Sequence, residues 1–385
     1  MTTALQDVGS VKMSYQKVTI DQLQPGSYVV KVLEQTGELE IKHAGWVRTR
    51  QAIRSLREQG VLAVAIDLTK QLPTTATPAK PTTEREPVAF RALFADEQPK
   101  AQRCIDQTQQ VQKQVLQAAA SGEPVDLSLV HEVSAGLSDA VSRNPDVLLC
   151  LGRIAAQSDL LLRHSLNCAL FMAAFARFLN LPKHKIQALI TAALLHDVGK
   201  AQNPQLLQAE DAAAISTSLA VLQRSTALAG EVSLWISQHC ACPDGSGVPP
   251  IREAQLDNGS KMLAIVNWYE KLSAPEQGYV SPLAVARQLL ALAPAKVDGD
   301  LLQLFIKCIG VYPPGTVVRL STGRLALVLE NNAKKPTLPK VKVFYHSTHH
   351  HHIPPKIIDL SRQAEEQVEA CVDLNKYGLD VRNYL

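Results

Sequence analysis

The sequence predicts a mainly α protein: a helical bundle with a small α+β domain before it and a small β appendix after it. Three observations predict this. Residues 96–310 carry apolar side chains at helical spacing in one segment after another. Residues 1–72 and those from 311 onward switch to short apolar runs separated by turn residues. Between the first two regions, residues 73–95 are dominated by Pro, Thr, Ala, Lys and Glu with no apolar period, the composition of a linker. A chain of 385 residues with 46% apolar content has the material for more than one core.

The elements follow in order. Residues 27–33 come after the Pro25-Gly26 turn signal and read as a strand; 49–59 read as an amphipathic helix stopped by Gly60, and 61–68 as a second strand. In the centre, 98–120 and 127–142 have the pattern of amphipathic helices, the first notably polar. Residues 163–179 and 183–195 are apolar over more than half their helical surface, which predicts core helices, and 232–238 and 261–272 continue the series. Segments 316–320, 325–329 and 341–345 read as strands of the β appendix (311–360), the first two joined at Thr322-Gly323. The stretch 361–385 is polar and reads as a frayed or helical tail.

Composition excludes several classes. No run approaches the roughly 20 apolar residues of a membrane span, and the N-terminus lacks the apolar core of a signal peptide, so a cytoplasmic protein is expected. A formal charge of +3 with both signs interleaved gives no reason to expect a nucleic acid polymer as partner. The seven cysteines are scattered without a repeating spacing and read as free thiols. The polar helix 98–120 would serve a homodimer or an intramolecular strut equally well.

The sharpest chemical signal is Leu194-Leu195-His196-Asp197-Val198-Gly199-Lys200, at the end of a long apolar helix. Two polar side chains after a buried run must be hydrogen-bonded or coordinated. His and Asp together offer a neutral nitrogen and a hard oxygen, a pair suited to Fe, Mn or Zn. A hydrogen-bonded helix end explains the pair equally well when it is taken alone. Gly199 allows a turn, and Lys200 places a charge where a phosphate could sit. His164 opens another apolar helix upstream. Downstream, His239-Cys240-Ala241-Cys242 runs into Pro243-Asp244-Gly245-Ser246-Gly247-Val248-Pro249, a glycine-rich loop whose backbone N–H groups could approach a ligand.

This order, a His, then HDxGK, then H-x-x-x-x-DGSG-x-P and an apolar helix, resembles the HD-GYP family over residues 145–310. That family is a branch of the HD superfamily of metal-dependent phosphohydrolases, and its members hydrolyse cyclic di-GMP. Both flanks extend the likeness, to the small domain of unknown function that often precedes these domains and to their C-terminal β appendix. The resemblance implies an HD-superfamily helical bundle, and metal ligation by His164, His196, Asp197 and His239. It further implies catalytic roles for Asp197 and Lys200, with Lys200, Asp244, Gly245 and Gly247 near the ligand and Pro249 completing the signature loop. The cofactor implied is a divalent ion (Fe, Mn or Zn), and the partner cyclic di-GMP or a related nucleotide.

The departures matter as much. The family's His-His-Glu is His239-Cys240-Ala241 here, and the tyrosine of its signature is Val248. A ligand Asp falls on Asn267, a ligand His is missing from 214–219, and an Arg-containing segment appears as 274–279 without its Arg. An amide oxygen is a weaker, uncharged donor. Cys240 would replace the lost His only as a thiolate, which favours Zn. Four clear ligands are fewer than a dinuclear site needs. Weak or lost phosphodiesterase activity is therefore expected, or a non-catalytic module that binds a nucleotide or a protein partner, or hydrolysis of another phosphoester at a reduced site. Other features get plainer readings. His346 and His349 to His352 form a histidine-rich loop with no acidic or Cys ligand pattern, an adventitious metal binder at most. His43, His131 and His184 are isolated, and Trp46, Trp235 and Trp268 pack.

Overall fold

A computed structural model describes residues 15–24, 27–36, 45–47, 50–71, 92–155, 159–206, 211–225, 228–273, 278–363 and 366–385. The chain separates into two compact units, Met1–Glu86 and Pro87–Leu385. Most of the expected linker and residues 274–277 of the Arg-less segment lie outside the described residues.

In the first unit, β1 (Tyr15–Thr19), β2 (Ser27–Gln35), β3 (Gly45–Val47), α1 (Arg50–Glu58) and β4 (Val61–Gln71) follow one another. The strands form an antiparallel sheet in the order β1-β4-β2-β3. Val18, Val29, Val61 and Val64 make its core, against which Ile53 and Leu56 of α1 pack. β-branched residues dominate because they fit a pleated, half-buried surface.

The second unit is helical for most of its length. It runs through α2 (Phe94–Ser121), α3 (Leu127–Arg143), α4 (Pro145–Ile154), α5 (Leu160–Phe178), α6 (Lys183–Leu195), α7 (Ala212–Gln223), α8 (Gly230–Gln238), α9 (Asn258–Ser273), α10 (Pro282–Leu292) and α11 (Gly299–Ile309). The reading from periodicity did not single out α4, α7, α10 and α11 as separate helices. Their start signals are chemical: Asn144 caps α4 with Pro145 in its first turn, Asp211 caps α7, and Ser281 and Asp298 cap α10 and α11. α2 begins at Phe94, inside the stretch read as linker, and its Glu97, just beyond that stretch, is buried and takes a 2.7 Å bond from Arg143. α5 and α6 are the core pair. Cys168, Met172, Phe175, Ile190, Ala193 and Leu195 are fully enclosed, as their near-continuous apolar surface requires.

β5 (Val317–Leu320), β6 (Arg324–Glu330), β7 (Lys340–His346), β8 (His351–Asp359) and β9 (Val368–Cys371) form one antiparallel sheet ordered β8-β7-β6-β5-β9. β9 corrects the reading of a frayed or helical tail. Val318, Arg319 and Leu320 of β5 pair with it, and buried Glu366 just before it takes bonds from Thr322 Oγ1 (2.6 Å) and Arg324 Nε (3.0 Å). β8 was hidden by Pro354 and Pro355, residues tolerated there because the strand lies on the sheet edge.

Candidate metal centre

Four helix-borne segments bring the site together. α6 stops at Leu195, and the chain passes through His196 and Asp197 into a 3-10 turn over Val198–Gln202. A helix end leaves its last carbonyls without intrahelical partners. His196 uses one of them: its Nδ1 lies 2.9 Å from the carbonyl oxygen of Ala193. The device recurs at the end of α8, where His239 Nδ1 lies 2.7 Å from the carbonyl oxygen of Ile236. In both rings the carbonyl accepts, so Nδ1 carries the proton and Nε2 presents a lone pair. His164, in the second turn of α5, directs Nδ1 to Oε2 of Glu270 on α9 at 2.5 Å, which orients its Nε2 in the same way.

The three Nε2 atoms converge on Asp197. Oδ2 lies 3.5 Å from His164 Nε2 and 3.6 Å from His196 Nε2, and Oδ1 lies 3.9 Å from His239 Nε2. Ring centres of His164 and His196, and of His196 and His239, are each 5.1 Å apart. Imidazoles bound to one tetrahedral ion at about 2.0–2.1 Å have ring centres about 5 Å apart. His239 Nε2 is buried with no hydrogen-bond partner, an uncompensated polar atom of a kind that proteins rarely keep. His164 Nε2 and His196 Nε2 are 3.1 Å apart. With both Nδ1 atoms already donating, that contact sets two lone pairs against each other unless a cation lies between them. The donor set therefore fits a divalent metal. Burial works against a charge on His164, but Cys168 and Glu270 beside it outweigh burial and push its pKa up to about 10.

The electrostatics suit ligation. Burial pulls the pKa of His196 and of His239 down, keeping both rings neutral with lone pairs free to coordinate. Burial opposes ionisation of Asp197, yet His196 and Lys200 beside it hold its carboxyl well below the usual range. Burial likewise opposes the Glu270 charge, and the bonds from His164 and Asn167 (Nδ2 at 3.1 Å) overcome it.

Lys200 is 1% exposed and its Nζ lies 2.8 Å from Asp197 Oδ2, so it is turned into the cluster. Asn267 is buried on α9, one turn before Glu270. Cys240 is half-buried, and burial, reinforced by Asp197, pushes its thiol up to about 12. Among the described residues, the converging ligand groups are His196, Asp197, His239 and His164, Cys168, His196; Cys240 is in neither.

The glycine-rich loop lies in contact with its own chain. Cys240 bridges Val248, and a Cβ on Gly247 would sit 2.3 Å from the Cys240 carbonyl oxygen and 2.4 Å from the Cys242 nitrogen. The close approach that needs a glycine is therefore to protein backbone. Gly245 adopts φ +83°, and Asp244 Oδ1 accepts from Ser246 N at 2.9 Å while Oδ2 meets Lys296 Nζ at 3.3 Å. Gly199 lies in the 3-10 turn, and a Cβ there would lie 2.2 Å from Ser218 N, so it also admits the backbone of α7.

Sequence reasoning missed three contributors. Cys168, one turn after His164 and fully buried, places Sγ 3.7 Å from His164 Nε2. Glu270 orients His164. Lys271 also faces the cluster, its pKa drawn down to about 8 by burial, against the pull of Asp197. An acid and a base in the apolar run of α9 were the available signal.

The HD domain matches residues 161–272, from α5 to the end of α9. A domain of unknown function (DUF3391) matches residues 15–130, and a KOW domain associated with HD domain matches 317–379. A cyclic di-GMP phosphodiesterase of Pseudomonas aeruginosa is 26% identical over 350 residues, covering 84% of this chain and 83% of its own. A cyclic di-GMP phosphodiesterase of Borreliella burgdorferi is 22% identical over 218 residues, 53% of this chain and 55% of its own. Among solved structures, an HDG"Y"P protein from Bdellovibrio bacteriovorus aligns with a TM-score of 0.45 and 16% identity, covering 76% of this chain and 98% of its own.

Proposed function

We infer from its place among the HD-domain proteins, to which this chain belongs, that it is an HD-GYP-like signalling protein acting on cyclic di-GMP in the cytoplasm, with weak phosphodiesterase activity. The observation that carries this reading is the convergence of three Nε2 atoms on Asp197, each ring held in one tautomer by a carbonyl or carboxylate at Nδ1. His164, His196, Asp197 and His239 would hold the ion, with Fe, Mn and Zn all compatible with nitrogen and carboxylate donors. Bound there, a divalent ion supplies Lewis acidity towards a phosphodiester oxygen and makes water more acidic. The chain's own residues do the rest. Glu270 orients His164, Ala193 and Ile236 fix the other two imidazoles, and Lys200 keeps Asp197 ionised. Asn267 contributes no charge where a carboxylate would, so the set supports fewer ions than a full dinuclear centre.

A second reading has its own observation. His196, Asp197, Lys200 and His239 are each at most 3% exposed, and a phosphodiester cannot reach so enclosed a cluster without movement of the surrounding elements. That favours a module that keeps the centre for structure and acts by binding a nucleotide or a protein partner. Hydrolysis of cyclic di-GMP by the purified chain with Mn²⁺ or Fe²⁺ under anaerobic conditions separates the two. Slow turnover that disappears in His196→Ala is expected. No turnover in either protein, with cyclic di-GMP still bound, would establish the binding module instead.

A further inference from the structure

Cys168 stands inside the centre with no part yet assigned to it. It lies on α5 one helical turn after His164 and is fully buried, with Sγ 3.7 Å from His164 Nε2 and 3.9 Å from its Nδ1. Glu270 already occupies Nδ1, so the lone pair left beside the sulfur is that of Nε2. One donor atom from each of His164, Cys168 and His196 lies within 4.8 Å of the other two.

Donors that share one tetrahedral ion stand at set separations. Bonds of about 2.0–2.1 Å to nitrogen or oxygen and about 2.3 Å to sulfur give edges of about 3.3 Å between two hard donors and about 3.6 Å between nitrogen and sulfur. Here His164 Nε2 is 3.1 Å from His196 Nε2 and 3.7 Å from Cys168 Sγ. Asp197 Oδ2 is 3.5 Å from the first of those nitrogens and 3.6 Å from the second. All four separations fall within a few tenths of an ångström of the edges of one tetrahedron. His239 Nε2, buried without a hydrogen-bond partner, approaches the other oxygen of Asp197 at 3.9 Å as a further donor.

Charge points the same way. Lys200 Nζ lies 2.8 Å from Asp197 Oδ2, Lys271 faces the same carboxylate, and Arg163 Nε lies 3.9 Å from Glu270 Oε1. Cations therefore already balance both carboxylates, and Asn267 adds no charge. A divalent ion brings two more positive charges into an enclosed cluster, where uncompensated charge is costly. A thiol gives up its proton on coordination and places a negative charge at the ion itself.

We propose that Cys168 is a thiolate ligand of the centre, sharing one ion with His164, His196 and Asp197, and that it makes the centre prefer zinc to manganese. Thiolate is a soft donor that selects zinc, whereas manganese is held by the harder donors alone and less tightly. The inference rests on the metal centre proposed above and specifies the class of ion it takes.

The test is X-ray absorption at the zinc edge on the full chain loaded with one equivalent of zinc. A sulfur neighbour at about 2.3 Å is expected beside nitrogen and oxygen at about 2.0–2.1 Å. Cys168→Ser should lose the sulfur and Cys240→Ser should keep it. Cys168→Ser should also weaken zinc binding by about 100-fold, the upper end of what loss of an outer-shell partner costs, and manganese binding far less. The parent spectrum needs no variant, so the proposal stays testable if Cys168→Ser fails to fold. Zinc bound by nitrogen and oxygen alone would overturn the proposal and leave the metal centre standing. Sulfur that is lost in Cys240→Ser would overturn it in favour of the other thiol. A chain that retains no zinc would overturn both the proposal and the centre it rests on.

Discussion

At the residue scale, the centre is a problem in tautomers. A neutral imidazole donates from one nitrogen and accepts at the other, so whatever occupies Nδ1 decides what Nε2 offers. Ala193, Ile236 and Glu270 each occupy one Nδ1, and the three Nε2 lone pairs are left facing Asp197. Glu270 differs from the carbonyls in carrying charge, which raises the basicity of the ring it orients. It is a positioning residue. Glu270→Gln keeps a side-chain oxygen for His164 but removes the charge, and should weaken metal binding by about 10–100-fold while leaving the stoichiometry unchanged. Competition titration with Mn²⁺ or Zn²⁺ checks this, and an unchanged affinity would show that His164 is not a ligand. His164, His196, Asp197 and His239 were legible in the sequence because their order and spacing survive as a pattern. Glu270, Cys168 and Lys271 were not, because each acts across a helix–helix contact that one-dimensional spacing does not contain.

At the element scale, helix ends and helix contacts place the chemistry. α6 and α8 end with a histidine at the position after the last helical residue, and in each the ring returns to a carbonyl three residues back. Between them, Gly199 lets the 3-10 turn press against α7, where Gly199 N donates to Ser218 Oγ at 3.0 Å. A methyl at Gly199 would meet backbone, which cannot rotate aside. Gly199→Ala should therefore destabilise the chain by about 1–3 kcal/mol in urea unfolding, and shift Lys200 and Asp197 with it. A variant as stable as the parent would show that α7 is not seated there. α2 and α3 were readable from the sequence because burial of one face imposes a period, and α5 and α6 because their near-continuous apolar surface marks core helices. α4 and α7 are short, at 10 and 12 residues, and are marked by their caps, and β8 combines an edge position with two prolines that mimic a loop. Gly247 closes the loop on its own backbone, a contact that spacing in the sequence does not contain.

At the scale of the whole molecule, the HD domain occupies the middle of the larger unit, and the five-stranded sheet belongs to that same unit. Cys150 of α4 places Sγ 3.8 Å from the Val328 carbonyl oxygen, and Asp146 accepts from Asn331 N at 2.7 Å, so α4 is anchored to the strand β6 and its end. The mainly helical class with β regions at both ends was legible from periodicity. The enclosure of the centre was not, since burial of a site is a property of the assembled bundle. Among the described residues no helix is long and apolar enough to cross a membrane. The central claim is that His164, His196, Asp197 and His239 still make a metal centre in spite of Asn267 and Cys240. The most direct measurement is the manganese content of the chain after loading and desalting, with and without Asp197→Asn. About one ion per chain, lost in Asp197→Asn, is the predicted result. Manganese content that is absent from the start, or indifferent to Asp197, would contradict it.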